Sequence, residues 1–315
     1  MKRIGLFLLI LLLLPFGCKT ESAHSAAGFA CDTVVTITAY APQKTVDETL
    51  KLCADYEALL SKTIVGSDVW NLNRANGDPV EVNPETADLL RLAIEIGERS
   101  GGAFDVTIAP LSGMWDFSAN EPVVPDQAAL QEAAKRVDYR NIVVEGNTVT
   151  LKNGAEIDLG GIAKGYIADR VADYLREQGV TSACINMGGN VVTIGTKPDG
   201  SPWSIGVRDP NGTPEQSEEV LKLSDATVVT SGNYERFFEI DGVRYHHILD
   251  PKTGMPVANG LASVTIVGTS SALCDALSTA CFVLGEEGSK KLLAGYGIHA
   301  IFLYTDGTRS AIPSE

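Results

Sequence analysis

The sequence is short of positive charge and of repetitive composition. Its 315 residues contain 25 Lys and Arg against 40 Asp and Glu, a formal net charge of -15. Proteins that bind nucleic acid regardless of sequence need a basic face, so this charge balance argues against a nucleic-acid partner. The 31 glycines and 14 prolines follow neither a collagen repeat nor a low-complexity tract, which excludes a collagenous or linker-dominated chain.

Cysteine motifs are also missing. None of the six cysteines forms a C-x-x-C pair, and the five that follow Cys18 are odd in number, so these five cannot all pair with one another. Cys184, Cys274 and Cys281 lie in apolar runs, which is typical of small buried side chains. The cysteines therefore predict no zinc site.

The amino-terminal segment predicts a signal peptide. Lys2 and Arg3 precede an apolar run from Ile4 to Leu14, which is too short to span a bilayer, and Gly17-Cys18 follows shortly afterwards. A small residue before such a cysteine is typical of bacterial lipoproteins. We therefore expect a signal peptide over 1–17, lipidation of Cys18, a flexible tether over 18–28, and a membrane-anchored protein on the extracytoplasmic side. The alternative is plain secretion with cleavage elsewhere.

The remaining residues, 29–315, predict one catalytic domain of the α+β class, with mixed or antiparallel sheets and flanking helices, arranged in one lobe or two. Apolar residues make up 44% of the sequence, enough for one large core or two small ones. Strand-like segments arrive in consecutive groups between helices, which favours α+β over a doubly wound sheet. The predicted strands are Thr33 to Tyr40, Asn141 to Glu145, Thr148 to Leu151, Ala183 to Asn186, Asn190 to Gly195, Trp203 to Arg208, Ala226 to Thr230, Tyr245 to Leu249, Leu261 to Val267 and Ala300 to Tyr304. The predicted helices are Thr45 to Leu60, Pro84 to Ser100, Asp126 to Val137, Ile162 to Gln178, Ser271 to Leu284 and Gly288 to Ala294.

One predicted helix carries an isolated polar face. Between Ala272 and Leu284 the strongly polar side chains are Asp275, Ser278 and Thr279, whose spacing places them on one side. A buried carboxylate needs compensation, and a hard cation such as Mg²⁺ bound by these oxygens would supply it. The alternative is that Asp275 caps a helix and Thr279 bonds to its own helix.

Two glycine loops and a histidine pair are further candidates. A Gly160-Gly161 turn begins the predicted helix that carries Lys164, and exposed backbone N–H groups beside a Lys can bind an anion. Gly188-Gly189 is a second loop that a ligand could approach closely. The alternative is that both Gly-Gly pairs are only tight turns.

His246 and His247 are adjacent on a predicted strand, so at most one of them faces a given cleft. That histidine would be either a proton acceptor or a structural residue.

These segments, together with those around Ala103 and Ser231, resemble the motifs of the ApbE-type FAD:protein FMN transferases and occur in the same order. The motifs are GAFD-T--PL--W, D-GGIAKGY--D, N-GGN, TSG-YER, HHI-DP-TG-P and DALSTA-FVLG, and the resemblance covers nearly all of residues 29 to 305. It implies an enzyme that binds FAD with Mg²⁺ and attaches FMN to a Thr or Ser of a flavin-carrying protein, releasing AMP. The acceptor would be a redox-complex subunit or a secreted flavoprotein. The alternatives are a Mg²⁺-dependent FAD pyrophosphatase that yields FMN and AMP, and a flavin-binding lipoprotein without catalysis.

The resemblance also implies roles for individual residues. Asp275 and Thr279 would be side-chain metal ligands, Gly161 would lend its carbonyl, and Ser278 would lie next to the ion. His247 would be catalytic. Two positions depart from the family: Cys31-Asp32-Thr33 replaces Met-Gly-Thr, and Thr63 replaces a common Tyr. The residues expected at the FAD site are Cys31, Ala103, Phe104, Asp105, Asp158, Lys164 and Ile248.

Overall fold

The computed structural model describes residues 22–210, 212–213 and 216–313, so the predicted signal peptide and Cys18 lie outside the described residues. The strands are β1 (Ala23–Ala30), β2 (Thr33–Tyr40), β3 (Val80–Glu81), β4 (Ile142–Glu145), β5 (Thr148–Leu151), β6 (Ala183–Met187), β7 (Asn190–Ile194), β8 (Trp203–Arg208), β9 (Ser217–Leu223), β10 (Thr227–Gly232), β11 (Phe237–Ile240), β12 (Val243–His246), β13 (Leu261–Gly268), β14 (His299–Tyr304) and β15 (Arg309–Ile312). The helices are α1 (Gln43–Leu60), α2 (Asp68–Leu72), α3 (Pro84–Arg99), α4 (Ala109–Ser112), α5 (Gln127–Ala134), α6 (Ala163–Glu177) and α7 (Ser271–Leu293).

An eight-stranded antiparallel sheet is the centre of the fold. Its strand order is β1-β2-β6-β7-β10-β13-β14-β15, and α1, α6 and α7 pack together on one of its faces. Buried side chains such as Ile37, Ile167 and Phe282 join the sheet and these helices in one hydrophobic core. The predicted α+β class is confirmed, with antiparallel pairing in every strand ladder. In the described part of the chain, no helix combines the length and apolarity needed to cross a membrane.

A smaller hydrophobic cluster lies outside that core. The hairpin of β11 and β12 packs against the α4–α5 region through Trp115, Phe117, Phe238 and Tyr245. The Phe238 and Tyr245 rings stack with centroids 5.4 Å apart, and Trp115 stacks on Tyr245 at 5.9 Å. This aromatic cluster holds the hairpin that leads directly into His247.

One sequence prediction needs correction, and another is confirmed in detail. Residues 23–28, which we expected in the flexible tether, belong to β1, because Ala26 and Ala30 turn inward and Gly28 approaches Leu50 of α1. The two helices predicted over Ser271 to Leu284 and Gly288 to Ala294 are both present as the two parts of α7, which are separated at Gly285, whose φ of 70° leaves the helical region. A glycine accepts this conformation without strain.

The start of α7 is fixed by a carboxylate from α6. Asp169 Oδ1 accepts from Ser271 N at 2.8 Å, and Asp169 Oδ2 accepts from Ala272 N at 3.0 Å and Ser270 Oγ at 3.1 Å. These bonds satisfy two of the backbone donors that a helix leaves unpaired at its amino terminus. Asp169 therefore sets where α7 begins relative to α6.

We predict that Asp169→Ala destabilises the protein by about 1–2 kcal/mol, because three hydrogen bonds at the start of α7 are lost. The change is measured as the free energy of unfolding in urea. Asp173→Ala on the same helix is the matched control, since Asp173 forms only half-exposed pairs with Arg170 and Arg176 and should change stability by about 0.5 kcal/mol or less. Equal losses in both variants would contradict the capping role.

Candidate active site

The polar face of α7 meets β10 at a group of oxygen atoms. Ser231 Oγ of β10 lies 2.7 Å from Ser278 Oγ and 3.3 Å from Thr279 Oγ1, and Ser278 Oγ donates to the Asp275 carbonyl at 2.9 Å. Asp275 is 3% exposed and Ser278 is fully buried. We call Ser231, Asp275, Ser278 and Thr279 the oxygen cluster.

The glycine turn before α6 approaches the oxygen cluster closely. A Cβ placed on Gly161 would lie 3.2 Å from Phe104 Cε2 and 3.5 Å from Thr279 Oγ1. One turn later, a Cβ on Gly165 would overlap the Ser271 carbonyl. The structure therefore brings together all four residues predicted to surround a metal ion: Gly161, Asp275, Ser278 and Thr279.

Asp275 joins the two helices at this crossing. Its Oδ2 accepts from Gly165 N at 2.9 Å, in the first turn of α6, and its Oδ1 lies 3.9 Å from Lys164 Nζ. Asp275 thus partly fulfils the alternative prediction of a helix cap, but for α6 and not for its own helix. Thr279 finds a partner in Ser231 on the sheet.

The donor set suits a hard cation. Within the described residues, no group of three or more His, Cys, Asp or Glu side chains could hold a metal ion. The oxygen cluster offers one carboxylate and several hydroxyls, and Mg²⁺ is typically bound through one or two carboxylates while phosphate and water complete its shell. These residues therefore fit a Mg²⁺ ion that is shared with a bound phosphate better than an ion held by protein alone.

His247 is held as a neutral imidazole. Burial, together with the positive charges of Lys164 and Arg236, lowers the pKa of His247 to about 4. Its Nδ1 lies 3.3 Å from the Arg236 carbonyl, which can only accept, so Nδ1 carries the proton in this contact. Nε2 is then left with its lone pair, as a proton acceptor requires.

His246 has the structural role that was the alternative for this pair. Its ring is buried, Nε2 lies 3.0 Å from the Val257 carbonyl, and the ring packs edge-on against Phe282. The two histidines of the motif therefore make separate contacts, and only His247 lies beside the charged groups of the site.

The expected FAD residues differ in their surroundings. Phe104 and Lys164 adjoin the glycine turn, since Lys164 Nζ donates to Gly160 O at 3.2 Å. Ala103 and Ile248 are buried. The Asp105 carboxylate, by contrast, is used within its own loop, where it accepts from Thr107 N, Thr107 Oγ1 and Tyr139 N. Burial raises the pKa of Asp105, although these hydrogen bonds oppose the shift.

The turn between β1 and β2 also adjoins the site. Cys31 has a φ of 52° and its N–H donates to Glu57 Oε1, while Asp32 lies 3.6 Å from Arg236. Burial raises the pKa of the Cys31 thiol to about 12, so the thiol stays protonated. The departure from Met-Gly-Thr thus places an uncharged thiol and an ion-paired carboxylate at this edge.

Sequence reasoning missed Lys62 and Ser112. Lys62 Nζ lies 2.6 Å from Asp158 Oδ2 and 3.0 Å from Ser112 Oγ, and Ser112 Oγ lies 2.8 Å from the same Asp158 oxygen. A single Lys just after a helix matches no sequence motif, and its partner Asp158 lies 96 residues away along the chain. No local pattern therefore predicts the pair.

Comparison with known proteins agrees with the motifs. A family model described as the ApbE family matches residues 31–302. An FAD:protein FMN transferase of Treponema pallidum is 39% identical over 279 residues, which cover 83% of this chain and 77% of the relative. One from Klebsiella pneumoniae is 39% identical over 258 residues, covering 80% of each. The crystal structure of the ApbE protein from Thermotoga maritima superposes with a TM-score of 0.84 at 36% identity, covering 92% of this chain and 96% of that chain. Flavin transferase ApbE from Vibrio cholerae gives 0.83 at 29% identity, covering 93% and 97%.

We predict that the His247 imidazole titrates near pH 4 in the free protein and that Lys164→Met raises its pKa, because one of the two neighbouring positive charges is removed. Since the folded pKa lies below the ordinary value, His247 favours the folded state fully above about pH 6.5 and loses that contribution as the pH falls towards 4. The measurement is a histidine-selective NMR titration, with His247→Gln identifying the resonance. A midpoint near 6.5 in the wild-type protein would refute the buried, positively flanked site.

Proposed function

Because the chain belongs to the ApbE family, we propose that it is an FAD:protein FMN transferase, which moves FMN from FAD to a Thr or Ser hydroxyl of an acceptor protein. The resemblance predicted from the motifs is confirmed. The observation that carries the proposal is the position of Lys164. It lies 3.9 Å from Asp275 of the oxygen cluster and close enough to His247 to lower the pKa of that imidazole. One site thus offers an anion-binding charge, a cation-binding carboxylate and a proton acceptor.

The proposed reaction is a phosphoryl-type transfer. The acceptor hydroxyl oxygen attacks the phosphorus of the FMN half of FAD, and a phosphoester bond forms while the anhydride bond to the AMP half breaks. AMP leaves with the bonding electron pair, and the hydroxyl proton passes to Nε2 of His247. The Arg236 carbonyl keeps the proton on Nδ1 and so holds the ring in the accepting tautomer.

Charge compensation is the main demand on this chain. A diphosphate entering a protein of net charge -15 is repelled unless positive potential is concentrated at one point. Lys164 supplies that charge at the glycine turn. The N–H groups of Gly160 and Gly165 are already bonded to Asp158 and Asp275, so the ammonium and not the start of the helix is the main positive group of this chain there. Positioning and electrostatic stabilisation are what phosphoryl transfer chiefly requires of a protein.

We also propose Mg²⁺ as the cofactor. Asp275, Thr279 and the Gly161 carbonyl would hold the ion. The Ser278 hydroxyl is already bonded to Ser231 and to the Asp275 carbonyl, so Ser278 would orient Thr279 through Ser231. When bound, the ion would polarise the phosphate as a Lewis acid and neutralise part of its charge.

The location of the protein is a further part of the proposal. The basic pair, the short apolar run and Gly17-Cys18 support export and lipidation of Cys18, which would tether the domain on the extracytoplasmic face of a membrane. Its acceptors would then be flavin-carrying subunits of membrane redox complexes or secreted flavoproteins.

The direct test is to incubate the full-length protein, in mild detergent, with FAD, Mg²⁺ and a Thr-bearing acceptor domain. We expect the acceptor to gain the mass of one FMN. Asp275→Ala should lower the rate by on the order of 10²-fold or more, since the cation loses its carboxylate, whereas Asp173→Ala on the exposed side of α6 should leave it unchanged. Free FMN without a labelled acceptor would instead establish a pyrophosphatase, and unchanged FAD a binding protein. Full activity of Asp275→Ala would refute the metal assignment.

We predict that Cys18→Ser releases the protein from membranes, because the acylated residue is lost, and leaves the specific activity for FMN transfer unchanged. Fractionation of cells into membrane and soluble parts measures the first effect, and the mass assay the second. Cys53→Ser, at a fully buried position, is the control that changes a cysteine without touching the anchor. Continued membrane association of Cys18→Ser would overturn the proposed lipidation.

A further inference from the structure

A network of three side chains lies beside the glycine turn and has no part in the mechanism above. It consists of Lys62, two residues after α1, Ser112 at the end of α4, and Asp158 just before the turn. Lys62 Nζ and Ser112 Oγ both contact Asp158 Oδ2, at 2.6 and 2.8 Å, and they lie 3.0 Å from each other. Three separate segments of the chain are thus joined at one carboxylate oxygen.

Lys62 is the charge that keeps this carboxylate ionised. Burial alone would raise the pKa of Asp158, but the ammonium of Lys62 and the hydrogen bonds to the carboxylate outweigh burial and lower the pKa. Without Lys62 the carboxylate would be a buried charge with no counterion, which is far less favourable than a neutral group in the same place. The state of Asp158 therefore depends on Lys62.

The same carboxylate shapes the glycine turn. Asp158 Oδ1 accepts from Gly160 N at 2.9 Å, and Asp158 N donates to the Val106 carbonyl at 2.8 Å. Gly160 O in turn accepts from Lys164. A displacement of Asp158 would be transmitted to the glycine turn and, through Val106, to the loop that carries Phe104.

The ammonium of Lys62 is not fully used by the protein. Its side chain is 33% exposed, and among the described residues its hydrogen-bond partners are Ser112 and Asp158. An ammonium has three N–H donors, so one remains for a further acceptor at this partly exposed position.

We propose that Lys62 is a positioning residue for FAD, which acts through Asp158 and Ser112 to fix the glycine turn and the FAD-facing carboxylate. This inference rests on the proposed function for the identity of the ligand. It assigns to Lys62 a role in binding FAD and not in the transfer step, because the network does not touch His247 or the oxygen cluster.

The test measures FAD affinity separately from turnover. Full-length protein in mild detergent is titrated with FAD in the presence of EDTA and followed by flavin fluorescence; kcat and KM for FMN transfer are measured with Mg²⁺ and acceptor. Lys62→Met should weaken FAD binding about tenfold or more, because charge-assisted hydrogen bonds are lost. Its kcat at saturating FAD should fall by a smaller factor than its FAD affinity, because Lys62 reaches the glycine turn only through Asp158 and contacts neither His247 nor the oxygen cluster.

Two further variants make the result specific to the network. Lys62→Arg keeps the charge and should restore most of the affinity. Lys62→Met combined with Asp158→Asn should bind FAD no more weakly than the weaker of the two single variants, because both remove the same interaction. Lys51→Met is the matched control, since it breaks an exposed Lys–Asp pair of the same 2.6 Å length on α1 and should leave FAD affinity unchanged. If Lys62→Met does not fold, Ser112→Ala keeps the question open to test and should weaken binding by a smaller factor.

Several outcomes would overturn the inference. A loss of kcat without a change in FAD affinity would indicate a general structural role, and additive losses in the double variant would show that Lys62 and Asp158 act independently. Unchanged affinity in Lys62→Met, with wild-type protein that binds FAD, would refute this inference alone. Wild-type protein that does not bind FAD would refute it together with the proposed function.

Discussion

The close crossing of α6 and α7 at a buried carboxylate is the constraint on which the site depends. Gly165 leaves no room for a side chain against the Ser271 carbonyl, so the helices approach closely enough for Asp275 to accept from the Gly165 N–H. A buried charge is tolerated only when it is compensated, and here the start of one helix compensates a carboxylate carried by the other. That contact fixes Lys164, the glycine turn and the oxygen cluster relative to one another.

Three carboxylates around the site, each at least partly buried, are stabilised in three different ways. Asp105 is held by neutral donors from its own loop, Asp158 by the ammonium of Lys62, and Asp275 by a backbone N–H with a more distant ammonium. Asp105 accepts three hydrogen bonds from neutral donors of its own loop and a neighbouring segment, whereas Asp275 accepts one from Gly165 N and has an ammonium 3.9 Å away. The proposed cation therefore belongs at Asp275, and the side chain of Asp105 has a structural hydrogen-bonding role.

Local sequence patterns predicted the parts of the fold whose side chains alternate or repeat clearly. The branched residues of β2 and β8 and the apolar spacing of α3 and α6 placed these elements within one residue of their observed ends. β1 was missed because five of its eight residues are Ala or Gly, and its strand conformation comes from pairing with β2 and packing on α1, which no local pattern records. The site shows the same division. Asp275, Ser278 and Thr279 were visible as one helix face, whereas the Lys62–Asp158 pair joins segments whose proximity exists only in the folded chain.

The two halves of the proposed chemistry are supported by different hydrophobic clusters. The oxygen cluster belongs to the main core of sheet and helices, while His247 follows the hairpin of β11 and β12, whose Phe238 and Tyr245 pack in the aromatic cluster with Trp115. The hairpin is closed by the bond from His247 N to the Arg236 carbonyl at 3.1 Å, so the same carbonyl fixes both the main chain and the imidazole tautomer. Loosening the aromatic cluster would therefore move His247, the proposed proton acceptor, without moving the proposed cation ligands. Because transfer requires both at once, the stacking of these rings is as much a part of the active-site geometry as the contacts at the phosphate.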